Sequence, residues 1–472
     1  MRKTQMRHYF ELTRTLAVLL ALALPSLTFA ADSIDTYFFR TITNPNLQEA
    51  NHSMIEAFDN EQYDEAVRLS ENVVEIAEQD ETIDKMSFAR ALSNAAILQA
   101  LAGDRTRALA LTGKAIETVE DTEPFHSDLF NILMVKSYTH NAEDMYVEAE
   151  DTLRRAQHIA HRQDGVYTRR QLSIIEFIAG IKLAKGELKD ADQEQRFNLI
   201  VSERNFGAGS EEIIPTLQRL GAYFADRGGS IPLNTIQEER LYRDRLFRES
   251  TSMFERSIQI IESKYGDDDL RLIDPLKGLS RTKDLQGFGR ANAERPMEKA
   301  LAIILDNPAS DLADQAKAMV SLADLYTKTS NARSSQLYLD AWNLLAEDDA
   351  HEDLRYELFG RPLRLVPEVP VQPVLFRHPV EVEKGTELFV DVQYDIRKDG
   401  RVRNAKVVDG NVPNGDRKLM RDFVSTMRFR PRIQDGELLS TEGMLLHQTY
   451  RVREREPKTS LSISTGTRGS GN

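Results

Sequence analysis

Any chemistry in this chain has to be carried by side chains other than thiols, because its 472 residues include no cysteine. That removes thiol nucleophiles, thiolate metal sites and disulfides together. Nine histidines are present: His8, His52, His126, His140, His158, His161, His351, His378 and His447. Only His158 and His161 are close, in AQHIAHRQ, where a helix would set them on one face. A zinc site needs three or four ligands, and this stretch offers two imidazoles. Asp267, Asp268 and Asp269 place three carboxylates in a row, but a calcium loop alternates its oxygen ligands and closes on a glutamate. That run reads as a solvated turn between helices. GTRGSG, residues 466–471, lacks the lysine of a phosphate loop. Neither a Gly-x-Ser-x-Gly elbow nor a His-Glu-x-x-His zinc motif occurs. The expectation is a non-enzymatic protein with no catalytic residue, no cofactor and no metal.

Binding is the class that remains, and charge narrows the partner. The formal net charge is -14, a field that repels nucleic acid and anionic membrane surfaces. The first residues carry Arg2, Lys3, Arg7 and Arg14, and an apolar run from Leu16 to Ala30 follows, with Thr28 and Ala30 placed for cleavage before Ala31. At 15 residues that run is shorter than the roughly 20 that a membrane-crossing helix needs. Residues 1–30 therefore read as an export signal, residues 31–47 as a lead-in, and the periplasm of a Gram-negative bacterium as the destination. An uncleaved anchor is the alternative.

The elements that would present a binding surface show themselves as a repeat. Ala66, Ala108, Ala149 and Ala191 fall in register at spacings of 42, 41 and 42 residues, each followed seven later by Val73, Ala115, Ala156 and Asn198. Before each lies a second amphipathic stretch, such as SFARALSNAAILQALAG, so each unit is two helices joined by a tight turn. Gly103-Asp104 and Gly186-Glu187 are the clearest of those turns. Small residues sit where two helices approach closely, since a bulky side chain would hold them apart. Ser250, Ala293 and Ser334 continue the series, with Ser257, Ala300 and Ala341 as partners. A step of 59 from Ala191 to Ser250 implies an insertion that contains GGSIPLNT. Pro296 is expected to shorten or kink its helix.

Over residues 48–347 these features resemble the tetratricopeptide repeat (TPR). The long unit and the junction ESKYGDDDLRLIDPLKGLS are similar to the variant in kinesin light chains. The expected fold class is mostly α: a solenoid of about seven TPR-like helix pairs with a period of about 42 residues, followed by a small α+β domain. The resemblance implies protein or peptide binding in a groove lined by the first helices. Asn94, Lys136 and Lys182, polar residues within otherwise apolar first helices, are the candidate contacts.

Residues 348–385, rich in proline, read as an extended linker. Residues 386–455 then alternate as strands. Val390, Val392, Tyr394 and Ile396 share one face, Lys398-Asp399-Gly400 makes a hairpin turn, and VRNAKVV returns. DRKLMRDFVSTMRF sets Leu419, Met420, Phe423 and Met427 on one helical face, and Asp435-Gly436 turns into a last strand, 444–452. Residues 456–472 read as a disordered tail. This order, with KDGRV, VVDG, MRFRP and IQDGE, resembles the C-terminal domain of the TonB energy transducer. The resemblance implies that Phe429 and Pro431 pack and terminate the helix, with Arg428 and Arg430 on the wetter side of that joint. It also implies a last strand, carrying Met444, Leu446, Gln448, Tyr450 and Val452, that can accept an extended peptide by its edge or join a second copy in a homodimer. The expected function is a periplasmic protein-binding scaffold, an accessory of TonB-type transport across the outer membrane, in contact with TonB-system components or outer-membrane receptors. The alternative is a cell-envelope assembly adaptor unrelated to TonB energy transduction.

Overall fold

A computed structural model describes residues 34–232, 235–287, 290–366, 374–375 and 387–452. The expected leader and tail, His8, His378, the GTRGSG stretch and most of the proline-rich stretch lie outside these residues. The chain divides into two compact units, residues 1–288 and 289–472.

In the first unit the small-residue register becomes helix pairs: α1 (Pro45–Asp59) with α2 (Tyr63–Gln79), α3 (Lys85–Ala102) with α4 (Arg105–Glu120), α5 (Asp128–Ala142) with α6 (Tyr146–Asp164), and α7 (Arg169–Ala184) with α8 (Leu188–Phe206). Ala66, Ala108, Ala149 and Ala191, and their partners Val73, Ala115, Ala156 and Asn198, are all fully buried. α9 (Ile214–Ser230), α10 (Gln237–Tyr265) and α11 (Ile273–Gln286) complete the unit. Part of the insertion is accommodated by α10, which at 29 residues is longer than any described helix before it.

The turns inside the pairs share one backbone device. Glu61, Gly103, Asp144 and Gly186 all have φ between 58° and 89°. Sequence reading finds the two glycines and misses Glu61 and Asp144, which hold the same left-handed turn with a Cβ penalty. Glu61→Gly is expected to raise stability by about 0.5–1 kcal/mol, the left-handed cost of about 1–2 kcal/mol less the chain entropy of glycine, measured as a rise in the urea midpoint with unchanged slope. Asp144→Gly is expected to gain less, because it also removes the acceptor of the Tyr146 hydroxyl.

The second unit holds α12 (Arg290–Asp306), α13 (Leu312–Thr329), α14 (Ser334–Leu345) and α15 (Glu352–Phe359). α12 runs through Pro296 for 17 residues, so the proline does not shorten it. The stretch expected as an extended linker opens instead with α15 and with β1 (Leu363–Val366), a short strand bounded by Pro362 and Pro367. A four-stranded sheet follows, ordered β2 (Val374–Leu375), β8 (Thr441–Val452), β3 (Leu388–Ile396) and β4 (Val402–Gly410). β3 is antiparallel to both β4 and β8. α16 (Asn414–Thr426) covers one face: Leu388, Val390, Val392, Tyr394 and Ile396 pack against Met420, Val424 and Met427. Leu419, expected on that face, is exposed, and Val424 takes its place.

MRFRPR is not a helix end. α16 stops at Thr426, Met427 is already extended, and β5 (Arg428–Arg430) and β6 (Arg432–Gln434) lie on either side of Pro431. β5 pairs with β1, and β6 forms a hairpin with β7 (Glu437–Leu439). At the hairpin turn Asp435 and Gly436 both have positive φ, as a two-residue primed turn requires.

Candidate protein-binding surfaces

The first helices are where groove contacts were expected, and α3 departs from that expectation in an informative way. Asn94 is fully buried, so it is not a free contact. Its side-chain amide clamps one residue of the chain's own N-terminal segment. Asn94 Oδ1 accepts from the Phe39 N–H at 2.7 Å, and Asn94 Nδ2 donates to the Phe39 carbonyl at 2.8 Å. Asn51 on α1, also fully buried, donates to the same carbonyl at 3.1 Å and accepts from Asn94 Nδ2 at 2.6 Å. The segment is anchored by a short 3-10 turn, Ile34–Tyr37, and by Ile34, Tyr37, Phe38 and Ile42, which are buried. Asn51 was missed in the sequence. The signal was available, since it stands 43 residues before Asn94, close to one repeat period.

Lys136 and Lys182 differ in their surroundings. Lys136 is half-buried on α5. One helical turn on, His140 is buried beside Thr152. Burial, and then the Lys136 charge, hold the His140 imidazole below its usual 6.5. The unfolded chain therefore binds a proton at this site first. The stability that neutral His140 contributes is fully present above pH 6.5 and is lost as the pH falls below it toward the depressed folded value. Unfolding at pH 7.5 and 5.5 is expected to show a smaller drop for His140→Gln than for the wild-type chain. Lys182 bridges α6 and the turn after α7 through Glu150 at 3.1 Å and Glu187 at 3.4 Å, with only 11% of its side chain exposed. It is an ion-pair clamp between neighbouring helices.

The last strand is placed where an edge was expected. β8 pairs with β3 along its length, and on its other side Val374 and Leu375 of β2 pair in parallel with Arg451 and Val452. From Thr441 to Tyr450 that outer edge has no strand partner among the described residues. The candidate side chains are not displayed there. Met444, Leu446 and Tyr450 pack on the core beneath α16, and Gln448 is buried. Burial, with the Asp416 charge behind it, pushes the Tyr450 phenol up to about 12. The side chain of Val452 lies outside the described residues. The opposite face of β8 presents Leu445, which is 57% exposed, and His447, which stacks on Phe389 and contacts Asp391 at 2.6 Å. Contacts at this strand would therefore run through backbone edge groups and through Leu445 and His447.

The joint residues face inward as well. Arg430 is 8% exposed and pairs with Asp324 on α13 at 2.6 and 3.0 Å, while also donating to the Leu358 carbonyl. The expectation that Arg430 lies on a wet side is corrected by this pairing. Arg428 turns back onto the carbonyls of Thr426 and Met427. Paired with Asp324, Arg430 is not available to an anionic partner.

Among the described residues no group of three or more histidines or carboxylates is placed to hold a metal ion. His158 lies edge-on to Phe125. Among the described residues no helix is long and apolar enough to cross a membrane.

These features define a helical-repeat scaffold of TPR-like helix pairs that ends in a small α/β region, an architecture that offers surfaces for protein–protein contacts. No family model and no curated protein matches the sequence. Solved structures resemble it in part. BtubC (BKLC) from P. vanneervenii is 16% identical, with a TM-score of 0.36, over 52% of this chain and 91% of its own. A putative kinesin light chain with nearly identical TPR-like repeats from Podosopora anserina is 15% identical, with a TM-score of 0.37, over 48% of this chain and 100% of its own. The apo quorum sensor NprR from B. thuringiensis is 10% identical, with a TM-score of 0.31, over 73% of this chain and 100% of its own.

Proposed function

We propose that this chain is a non-enzymatic, periplasmic protein-binding scaffold, an accessory of TonB-type transport across the outer membrane. The observation that supports the reading is the outer edge of β8, which has no strand partner from Thr441 to Tyr450 among the described residues. An unpaired edge offers alternating N–H and C=O groups to an extended peptide, and the adjacent exposed side chains set preference. Residues 1–30, which read as an export leader, support the compartment, and the resemblance of KDGRV, VVDG, MRFRP and IQDGE to the TonB C-terminal domain supports the partner class.

One observation favours the envelope-assembly alternative: β2 already occupies the edge at Arg451 and Val452, as a folded tail with a covered edge would. The two readings separate on a photo-crosslinking residue placed at Leu445 in the full chain and activated in intact cells. Adducts with TonB-system components or outer-membrane receptors are expected, absent when the same residue replaces Leu419 on α16. Adducts only with unrelated envelope proteins would overturn the transport reading, and adducts only with a second copy would replace it with a dimer.

A further inference from the structure

We propose that the groove formed by α1, α3 and α5 is a binding site for an extended peptide with two adjacent aromatic side chains, and that residues 34–42 of this chain are its resting occupant. The inference rests on the protein-binding part of the reading above and not on its transport part.

The segment is held as a ligand is held. After the 3-10 turn it runs without helix or strand pairing to Pro45. Its backbone is instead met by side-chain amides: Asn94 grips both the N–H and the C=O of Phe39, Asn51 adds a second bond to that C=O, and Gln48 Oε1 accepts from the Ile42 N–H. Bonds aimed at main-chain groups do not depend on the sequence of the peptide, so the same amides fit any extended chain laid along them. Selectivity comes from the side-chain seats. Tyr37 lies against Phe130 and Tyr138 of α5, and Phe38 meets Phe58 of α1 edge to face. At the rim, Arg40 pairs with Asp59 at 2.8 Å. The ligand class is thus an extended peptide with two adjacent aromatic residues and a basic residue two positions after the second, as Tyr37, Phe38 and Arg40 stand here.

The buried amides are matched to a main chain rather than to particular side chains. Asn51 and Asn94 stand at 0% exposure; the other buried residues of α1 are apolar, while α3 also buries Ser87, Ser93 and Gln99. Burying an amide that lacks a partner is unfavourable. A segment laid across these helices brings the N–H and C=O of Phe39 with it, and those groups need partners that apolar residues at 51 and 94 could not supply. The two amides specify a main chain in that place, whichever chain supplies it. The resident segment joins α1 through Thr43 and Asn44, so it competes at high effective concentration. Release of the segment would open the groove to a partner.

The test uses the full chain and a fluorescein-labelled synthetic peptide of residues 31–43. The double variant Tyr37→Ala/Phe38→Ala, whose own segment is weakened, is expected to bind the peptide saturably and at least tenfold more tightly than the wild-type chain. Adding Asn94→Leu is expected to reduce that binding at least tenfold. A double variant with wild-type helix content and no saturable binding would overturn the proposal. If the double variant does not fold, the wild-type background decides. The chain has no cysteine, so Thr36→Cys, at an exposed position, takes a single dye. A saturable fall in dye anisotropy with unlabelled peptide supports exchange, and an unchanged anisotropy shows that the segment is a fixed part of the fold. Neither outcome bears on adducts at Leu445, so failure here is separable from failure of the transport reading.

Discussion

Replacing Arg430 with alanine is expected to destabilise the second unit by about 3–5 kcal/mol, the range for stripping one partner from a buried ion pair. The guanidinium makes two bonds to Asp324, and the Arg430 and Asp324 side chains are 10% and 17% exposed. Burial by itself would lower the Arg430 pKa, but the Asp324 hydrogen bonds and charge outweigh it and raise the value, so the guanidinium stays charged. Asp324 also accepts from the buried Tyr338 hydroxyl. Around this pair, Ile433 and Leu438 of the β6–β7 hairpin pack with Val320, Ala323, Tyr338, Trp342 and Phe359. Alanine at 430 leaves the Asp324 charge facing that cluster without its partner. Trp342, the chain's single tryptophan, sits against Phe359, so urea unfolding followed by its fluorescence reads the effect directly. Arg430→Met with Asp324→Leu is expected to recover most of the loss, because removing both charges also removes the desolvation cost. A single variant within 1 kcal/mol of wild type would show that the pair is solvated.

The second large effect is expected at Asp192 in the first unit. Its carboxylate is fully buried and accepts four bonds: from the Tyr223 hydroxyl at 2.6 Å, Arg227 Nε at 3.0 Å, Arg227 Nη2 at 3.1 Å and the Tyr242 hydroxyl at 2.7 Å. One side chain of α8 thereby ties α9 and α10. Burial, and then the Asp192 charge, push the Tyr223 phenol far above its usual value, so it remains a donor at any working pH. Asp192→Ala leaves Arg227 charged and buried, with a predicted loss of about 3–5 kcal/mol. Asp192→Asn keeps one acceptor oxygen and is expected to lose less. Amide hydrogen exchange across residues 188–265 should quicken in the alanine variant, and unchanged protection there would refute the assignment. Close by, Asn198 occupies a position where the earlier units carry small apolar residues. It accepts from Arg219 and donates to Glu176, and Arg219 pairs with Glu176 at 2.6 Å. The departure from the repeat is explained by this polar network.

Much of the fold was legible because its signals are local and recur. Ala66 and its equivalents mark helix crossings at a fixed period, and every one is buried. The alternation in β3 placed Val390, Val392, Tyr394 and Ile396 on the covered face. Asn94 stood out as a polar residue in an apolar helix, and that alone drew attention to it. What it binds was not legible, because Phe39 lies 55 residues earlier in the chain and nothing in local pattern links the two. The same limit hid the role of MRFRPR. Its two strands are short, and its arginine has its partner 106 residues upstream.

By itself, the sequence determined the helix-pair repeat, its register, the strand–strand–helix–strand order of the C-terminal region and the absence of thiol chemistry. Each of these follows from the spacing of residue types along the chain, which fixes which face of a helix or strand is apolar before any partner is chosen. Only the tertiary structure decided that Asn94 clamps the chain's own backbone and that Lys182 and Arg430 are tied into ion pairs. It alone turned Met444, Leu446 and Tyr450 toward the core, while the outer edge of β8 from Thr441 to Tyr450 kept no strand partner among the described residues. Those outcomes depend on which distant group fills the space opposite. A buried polar side chain is stable only with such a partner, and the partner is chosen by packing.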